Sequence, residues 1–132
     1  MAPLILVIDD EANIRKVLKG FLEEEGFRVV TAKDGAEARK AMAQAPDLAL
    51  CDLKLPGTDG ISLLKELRRA RSVPVILMTA FGTIPAAVEA MRAGAYDFLA
   101  KPLDYAELKR LLRKALASAG AESREWVMEP AE

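Results

Sequence analysis

LILVIDDE, residues 4–11, is a continuously apolar run that ends in three acids. An apolar run with no polar alternation reads as a strand buried on both faces, as strands of parallel sheets are. Behind it, Ile14, Val17, Leu18, Phe21 and Leu22 recur at i, i+3, i+4, i+7 and i+8. That is one face of a helix, ending near Gly26. The alternation then continues along the chain. Arg28 to Thr31 is short and β-branched, and Asp34 is placed to N-cap an alanine-rich helix that Ala45-Pro46 closes. Leu48 to Cys51 is a third buried strand running into Asp52, and Leu55 to Gly60 carries loop chemistry. Ile61, Leu64 and Leu67, with Leu63 alongside, mark a third helix. Val73 to Thr79 holds a fourth strand, and Phe81-Gly82-Thr83 forms the loop behind it. A fourth helix covers about 84–93; its apolar content is mostly alanine, which predicts weak packing. Tyr96 to Leu99 is the fifth strand, and Leu108, Leu111, Leu112, Ala115 and Leu116 line one face of the last helix. Strands separated by helices of this length imply βαβ crossovers, hence an α/β fold with a five-stranded parallel sheet and helices on both faces. One domain is expected over residues 1–119. Residues 120–132 have no period and read as a linker stub or disordered tail.

Composition narrows the chemistry. The chain has 132 residues, enough for one ordinary domain. The first apolar run is too short to span a membrane and lacks the features of a signal peptide, so a cytoplasmic location is the expectation. With no histidine, Ser-His-Asp and Cys-His catalysis and the common zinc enzymes are excluded. The single cysteine, Cys51, excludes an internal disulfide and reads as a buried small hydrophobe. Nineteen basic against 20 acidic residues give a net charge of −1. No overall field draws such a chain to nucleic acid or an anionic membrane. What remains is carboxylate, lysine, hydroxyl and hard-metal chemistry.

Ligands of open parallel sheets bind at the carboxyl ends of the strands. Strand one ends in Asp9 and Asp10, strand three in Asp52 and strand four in Thr79, while Lys101-Pro102 follows strand five. Each residue alone has an ordinary explanation as a helix cap, turn residue or solvated lysine. Together they place three carboxylates, an ammonium and a hydroxyl on one edge. Carboxylates gathered there need a cation, and oxygen ligands with room for water suit Mg²⁺. Metal and lysine can balance charge on phosphoryl oxygens while a carboxylate acts as nucleophile. Asp52, rigidly held behind a buried strand, is the best nucleophile.

These residues resemble the receiver domains of two-component response regulators. The resemblance rests on ILVIDDE (5–11), Asp52 within CDLKLPGTDG (51–60), Met-Thr-Ala (78–80) and Lys101-Pro102, and it covers about Leu4 to Ala117. It implies a doubly wound, flavodoxin-like sheet in strand order 2-1-3-4-5. It also implies that Asp52 is the phosphoacceptor and that Mg²⁺ is held by Asp10 directly, by Asp9 largely through water, by Asp52 and by the backbone carbonyl of Lys54. Lys101 then resembles the lysine that pairs with the phosphoryl group, with a cis bond to Pro102. Thr79 resembles the switch hydroxyl and Phe98 the switch aromatic, which turns inward on activation. The implied partner is a sensor histidine kinase. The implied role is a phosphoacceptor switch rather than an enzyme of turnover, catalysing only its own phosphoryl transfer and dephosphorylation. The surface of helix four, strand five and helix five is where family members dimerise or meet partners.

GTIPAAVEAMRAGAYDFLAKPLD (82–104) is similar to receivers of the nitrogen-regulator type, which precede an ATPase domain that activates transcription. The sequence shows neither that domain nor a Walker-type loop. A stand-alone receiver and a fragment lacking its C-terminal output domain are both open, and direct nucleic-acid binding is not expected. Two positions tune dephosphorylation in the family, here Lys54 and Phe81, and bulky Phe81 is expected to hinder the attacking water. Trp126 is a linker residue or a dimer contact. The main rival is a Mg²⁺-dependent phosphatase with an aspartyl-phosphate. Such enzymes place a general acid two residues past the nucleophile, where this chain has Lys54. A nucleotide-binding module finds neither GxGxxG nor GxxxxGK[ST] after the first strand.

Overall fold

The computed structural model describes residues 2–80 and 84–123, with side chains through residue 118. The elements run β1 (Leu4–Ile8), α1 (Ala12–Glu24), β2 (Arg28–Ala32) and α2 (Gly35–Ala41), then a 3-10 turn (Met42–Gln44) and β3 (Leu48–Asp52). A two-residue pair, β4 (Lys54–Leu55) and β5 (Thr58–Asp59), precedes α3 (Gly60–Ala70). β6 (Val75–Thr79), α4 (Ile84–Arg92), β7 (Asp97–Ala100) and α5 (Tyr105–Ser123) complete the chain.

The main sheet is parallel throughout, in the order β2-β1-β3-β6-β7. With the small hairpin set aside, this is the expected order 2-1-3-4-5. The hairpin is the one departure in the strand count. Lys54 pairs with Asp59 and Leu55 with Thr58, antiparallel, around Pro56-Gly57. Gly57 has φ +76°, and proline followed by a positive-φ glycine is the sequence of a type II turn. Loop chemistry was legible there; strands this short leave no periodicity to read. The α5 backbone continues to Ser123, past the expected boundary at residue 119. Trp126 and Phe81 lie outside the described residues.

Strand residues alternate between two cores. Leu6, Ile8, Ala49, Cys51, Val75 and Leu77 face α2, α3 and α4. Ile5, Val7, Leu48, Leu50, Ile76 and Met78 face α1 and α5. Both faces are dry, so each leucine or isoleucine removed from water contributes about 2 kcal/mol towards folding. Their helices are anchored unequally. α5 buries Leu108, Leu111, Leu112, Ala115 and Leu116. The one residue α4 buries is Ala90, leaving Ile84, Val88 and Met91 exposed.

Local chemistry sets the helix starts. The Asp34 carboxylate accepts the Glu37 N–H at 2.9 Å, and Glu37 accepts the Lys33 N–H at 2.9 Å, a reciprocal cap on α2. Asp59 caps α3 through the Ser62 N–H at 2.7 Å. At the amino edge of the sheet, the Leu4 N–H donates to the Asp47 carboxylate at 2.8 Å. The opposite edge is thereby left to carry the polar residues.

Candidate metal centre

Four strands deliver the site. Asp9 follows β1, Asp52 closes β3, Thr79 closes β6 and Lys101 follows β7. Asp9 is fully buried and held at every polar atom. Its N–H donates to the Ala32 carbonyl at 3.1 Å. Its Oδ1 accepts the Glu11 N–H at 3.0 Å, and its Oδ2 accepts Lys101 Nζ at 2.8 Å. Its carbonyl accepts Arg15 Nη1 at 2.8 Å. Asp52 is 8% exposed; its Oδ1 accepts the Lys54 N–H at 3.2 Å and its Oδ2 accepts Lys101 Nζ at 3.1 Å. Asp10 is exposed, yet its carboxylate lies with those of Asp9 and Asp52 inside a 4.8 Å cluster.

Like charges that close repel by about 3 kcal/mol per pair at the screening typical of a protein surface. Lys101 returns one positive charge against three negatives. The remaining surplus of two, presented on oxygen atoms with one carboxylate open to water, fits a divalent hard cation such as Mg²⁺. The protonation balance shows the same crowding. Burial pushes the Asp52 carboxyl above its usual range and the charge of Asp9 adds to this, although the Lys54 N–H and Lys101 pull the other way. Burial alone would lower the Lys101 ammonium; hydrogen bonds and charge from Asp9 and Asp52 outweigh it and hold the lysine above its usual value. The Cys51 thiol is pushed up by burial, and further by Asp52 and Asp9, so it stays a neutral core group.

A carboxyl whose pKa is higher in the folded chain binds its proton more tightly there. Ionised Asp52 therefore costs stability at neutral pH, and acid relieves the cost. Asp52→Asn is expected to raise the melting temperature by roughly 4 °C without metal, about 1 kcal/mol in a domain of this size. The gain should shrink as pH falls through the Asp52 titration. Differential scanning calorimetry in EDTA checks this, and an unchanged or lowered midpoint at pH 7 would contradict it.

Thr79 is 2% exposed at the end of β6. Phe98 pairs with Leu77 across β6 and β7 and packs, partly buried, in the core that holds Ala90. Thr79 lies two residues past Leu77, hence on that same face. The Lys101-Pro102 bond is cis, as expected. Sequence reasoning missed Glu11 and Arg15. Arginine in the opening turn of a helix, at the positive end of its dipole, was the available signal.

The strand order is that of solved receiver domains. A model of the response regulator receiver domain matches residues 5–113, from β1 well into α5. The chain belongs to the receiver domain family. Among its relatives, the transcriptional regulatory protein ZraR of Klebsiella oxytoca is 42% identical over 115 residues, 86% of this chain and 26% of that protein. The DNA-binding transcriptional regulator NtrC of Escherichia coli K12 is 40% identical over 116 residues, 86% of this chain and 25% of that protein. The crystal structure of NtrX from Brucella abortus matches with TM-score 0.86 at 38% identity, covering 94% of this chain and 29% of that one. The resemblance to nitrogen-regulator receivers is borne out by these relatives. This receiver spans about a quarter of the length of the curated relatives it matches. Among its described residues, no helix is long and apolar enough to cross a membrane.

Proposed function

We propose that this receiver is a phosphorylation-driven switch of a two-component system, accepting a phosphoryl group from a sensor histidine kinase onto Asp52. The observation that carries the reading is the convergence of the Asp9, Asp10 and Asp52 carboxylates, with the Lys101 ammonium paired to Asp9 and Asp52. Asp9, Asp10, Asp52 and the backbone carbonyl of Lys54, whose N–H already holds Asp52, would hold Mg²⁺. Bound there, Mg²⁺ supplies positive charge against the phosphoryl oxygens. Asp52 Oδ attacks phosphorus as the donor's bond to phosphorus breaks, forming an aspartyl-phosphate. Lys101, freed from one carboxylate contact, turns its ammonium to the transferred group. Such a site supports only its own phosphoryl transfer and dephosphorylation, since Lys54 stands where a phosphatase places its general acid.

Phosphorylation replaces one negative charge by about two and adds three acceptor oxygens. The Thr79 hydroxyl can turn to one of these and vacate space on its face of the sheet. Phe98, on that face, can rotate into the space and shift α4, whose one fully buried residue is Ala90. The surface of α4, β7 and α5 would then meet a second copy or an output domain that regulates transcription, in the cytoplasm.

Incubation with acetyl phosphate and Mg²⁺ should add one phosphoryl group by intact mass, and either Asp52→Asn or EDTA should abolish it. Should no adduct form and beryllium fluoride also fail to bind, the phosphoacceptor reading falls. Steady turnover of an aryl phosphate would mark a phosphatase instead.

A further inference from the structure

α1 begins against electrostatic convention. Its first turn holds no acidic residue, and its N-cap, Glu11, makes no side-chain cap bond. The charged residue within that turn is Arg15, a cation at the positive end of the helix dipole and beside a cluster that calls for a cation. The dipole opposes this placement, whereas the neighbouring carboxylates and a hydrogen bond to the main chain favour it. The guanidinium is half-buried and folds back over the helix start, donating Nη1 to the Asp9 carbonyl at 2.8 Å.

That carbonyl belongs to the peptide joining Asp9 to Asp10. The Asp9 side chain has its own partners in Glu11 and Lys101. Asp10 has none: among the described residues no hydrogen bond or ion pair holds its carboxylate, which is exposed. Its position comes from the backbone alone. On one side that backbone is fixed by the Asp9 N–H on the Ala32 carbonyl, and on the other by Arg15. We infer that Arg15 is a positioning residue that orients the Asp9–Asp10 peptide and so presets the Asp10 carboxylate for a divalent cation. Groups one layer behind a metal ligand commonly carry about tenfold or more in metal affinity.

This inference rests on the metal-dependent reading above, and its test turns on a sign. If Arg15 acted only through charge, removing it would tighten Mg²⁺ binding, because a nearby positive charge repels the ion. If it acts by positioning, removal weakens binding. Titration calorimetry of Mg²⁺ into the unphosphorylated protein should give a dissociation constant about tenfold weaker for Arg15→Met. Arg15→Lys, which keeps a donor and the charge, should recover most of the loss, and melting temperatures in EDTA should stay together. Unchanged or tighter binding by Arg15→Met would overturn the inference. So would weaker binding that Lys does not recover, or that tracks a fall in melting temperature. Failure of the wild-type protein to bind Mg²⁺ at all would instead overturn the metal-dependent reading and this inference with it.

Discussion

Lys101→Met is expected to slow phosphorylation of Asp52 by acetyl phosphate about a hundredfold or more at saturating Mg²⁺. The ammonium touches the carboxylates of both Asp9 and Asp52. Removing a single preorganised charge or donor from a transition state typically costs 10²–10³ in rate. Met keeps the length and apolar stem, so the loss would report the charge. Single-turnover labelling followed by mass spectrometry checks it, and a rate within about threefold of wild type would sink Lys101's proposed part, the reference being the typical effect above.

The same variant has a pH signature in stability. Lys101 is held above its ordinary value of 10.5 in the folded chain. A base raised in this way stabilises the fold fully below its unfolded pKa, and that contribution is lost as pH rises through the raised folded value. At the acidic end, protonation of Asp52 removes one of the charges that Lys101 neutralises. The wild type should therefore exceed Lys101→Met in melting temperature across neutral pH, with the difference closing on both sides. A constant difference from acid to alkali would mean that packing, not charge, was lost.

Gly60→Ala is expected to lower the unfolding free energy by about 3 kcal/mol, at the upper end of overpacking effects because backbone must move. An added Cβ would stand 2.6 Å from Leu53 Cα and 2.7 Å from the Asp52 carbonyl oxygen. Neither neighbour is the flexible end of a side chain. The requirement is for space: the N–H of Gly60 donates to the Leu53 carbonyl at 2.7 Å, drawing the start of α3 against the turn behind Asp52. The shift that makes room must displace Asp52 or Leu53, so phosphorylation should slow along with the loss of stability. Urea unfolding measures the first effect, and a change under about 0.5 kcal/mol, the range of an ordinary surface substitution, would show that the turn yields freely.

The main sheet was legible because its strands are uniform apolar runs and its helices carry one-face patterns such as Leu108, Leu111, Leu112 and Leu116. The adjacency of Asp9, Asp10, Asp52 and Lys101 was legible for a topological reason: parallel strands put all their carboxyl ends on one edge. Their roles remain the proposal. Arg15 was not legible, because its partner is a main-chain carbonyl, and every residue has one. The close approach at Gly60 was hidden in the same way. A glycine within Asp59-Gly60 reads as turn chemistry, while its contact is with backbone seven residues earlier.

The helices also differ in what holds each of them against opening. Local opening is governed by what an element must uncover. α5 buries four leucines and Ala115, whereas the one fully buried residue of α4 is Ala90. The sheet stands between them, with α4 on one face and α1 and α5 on the other. Of the helices, α4 therefore has the least to uncover when it opens, while α1 and α5 clasp the far face of the sheet through buried leucines.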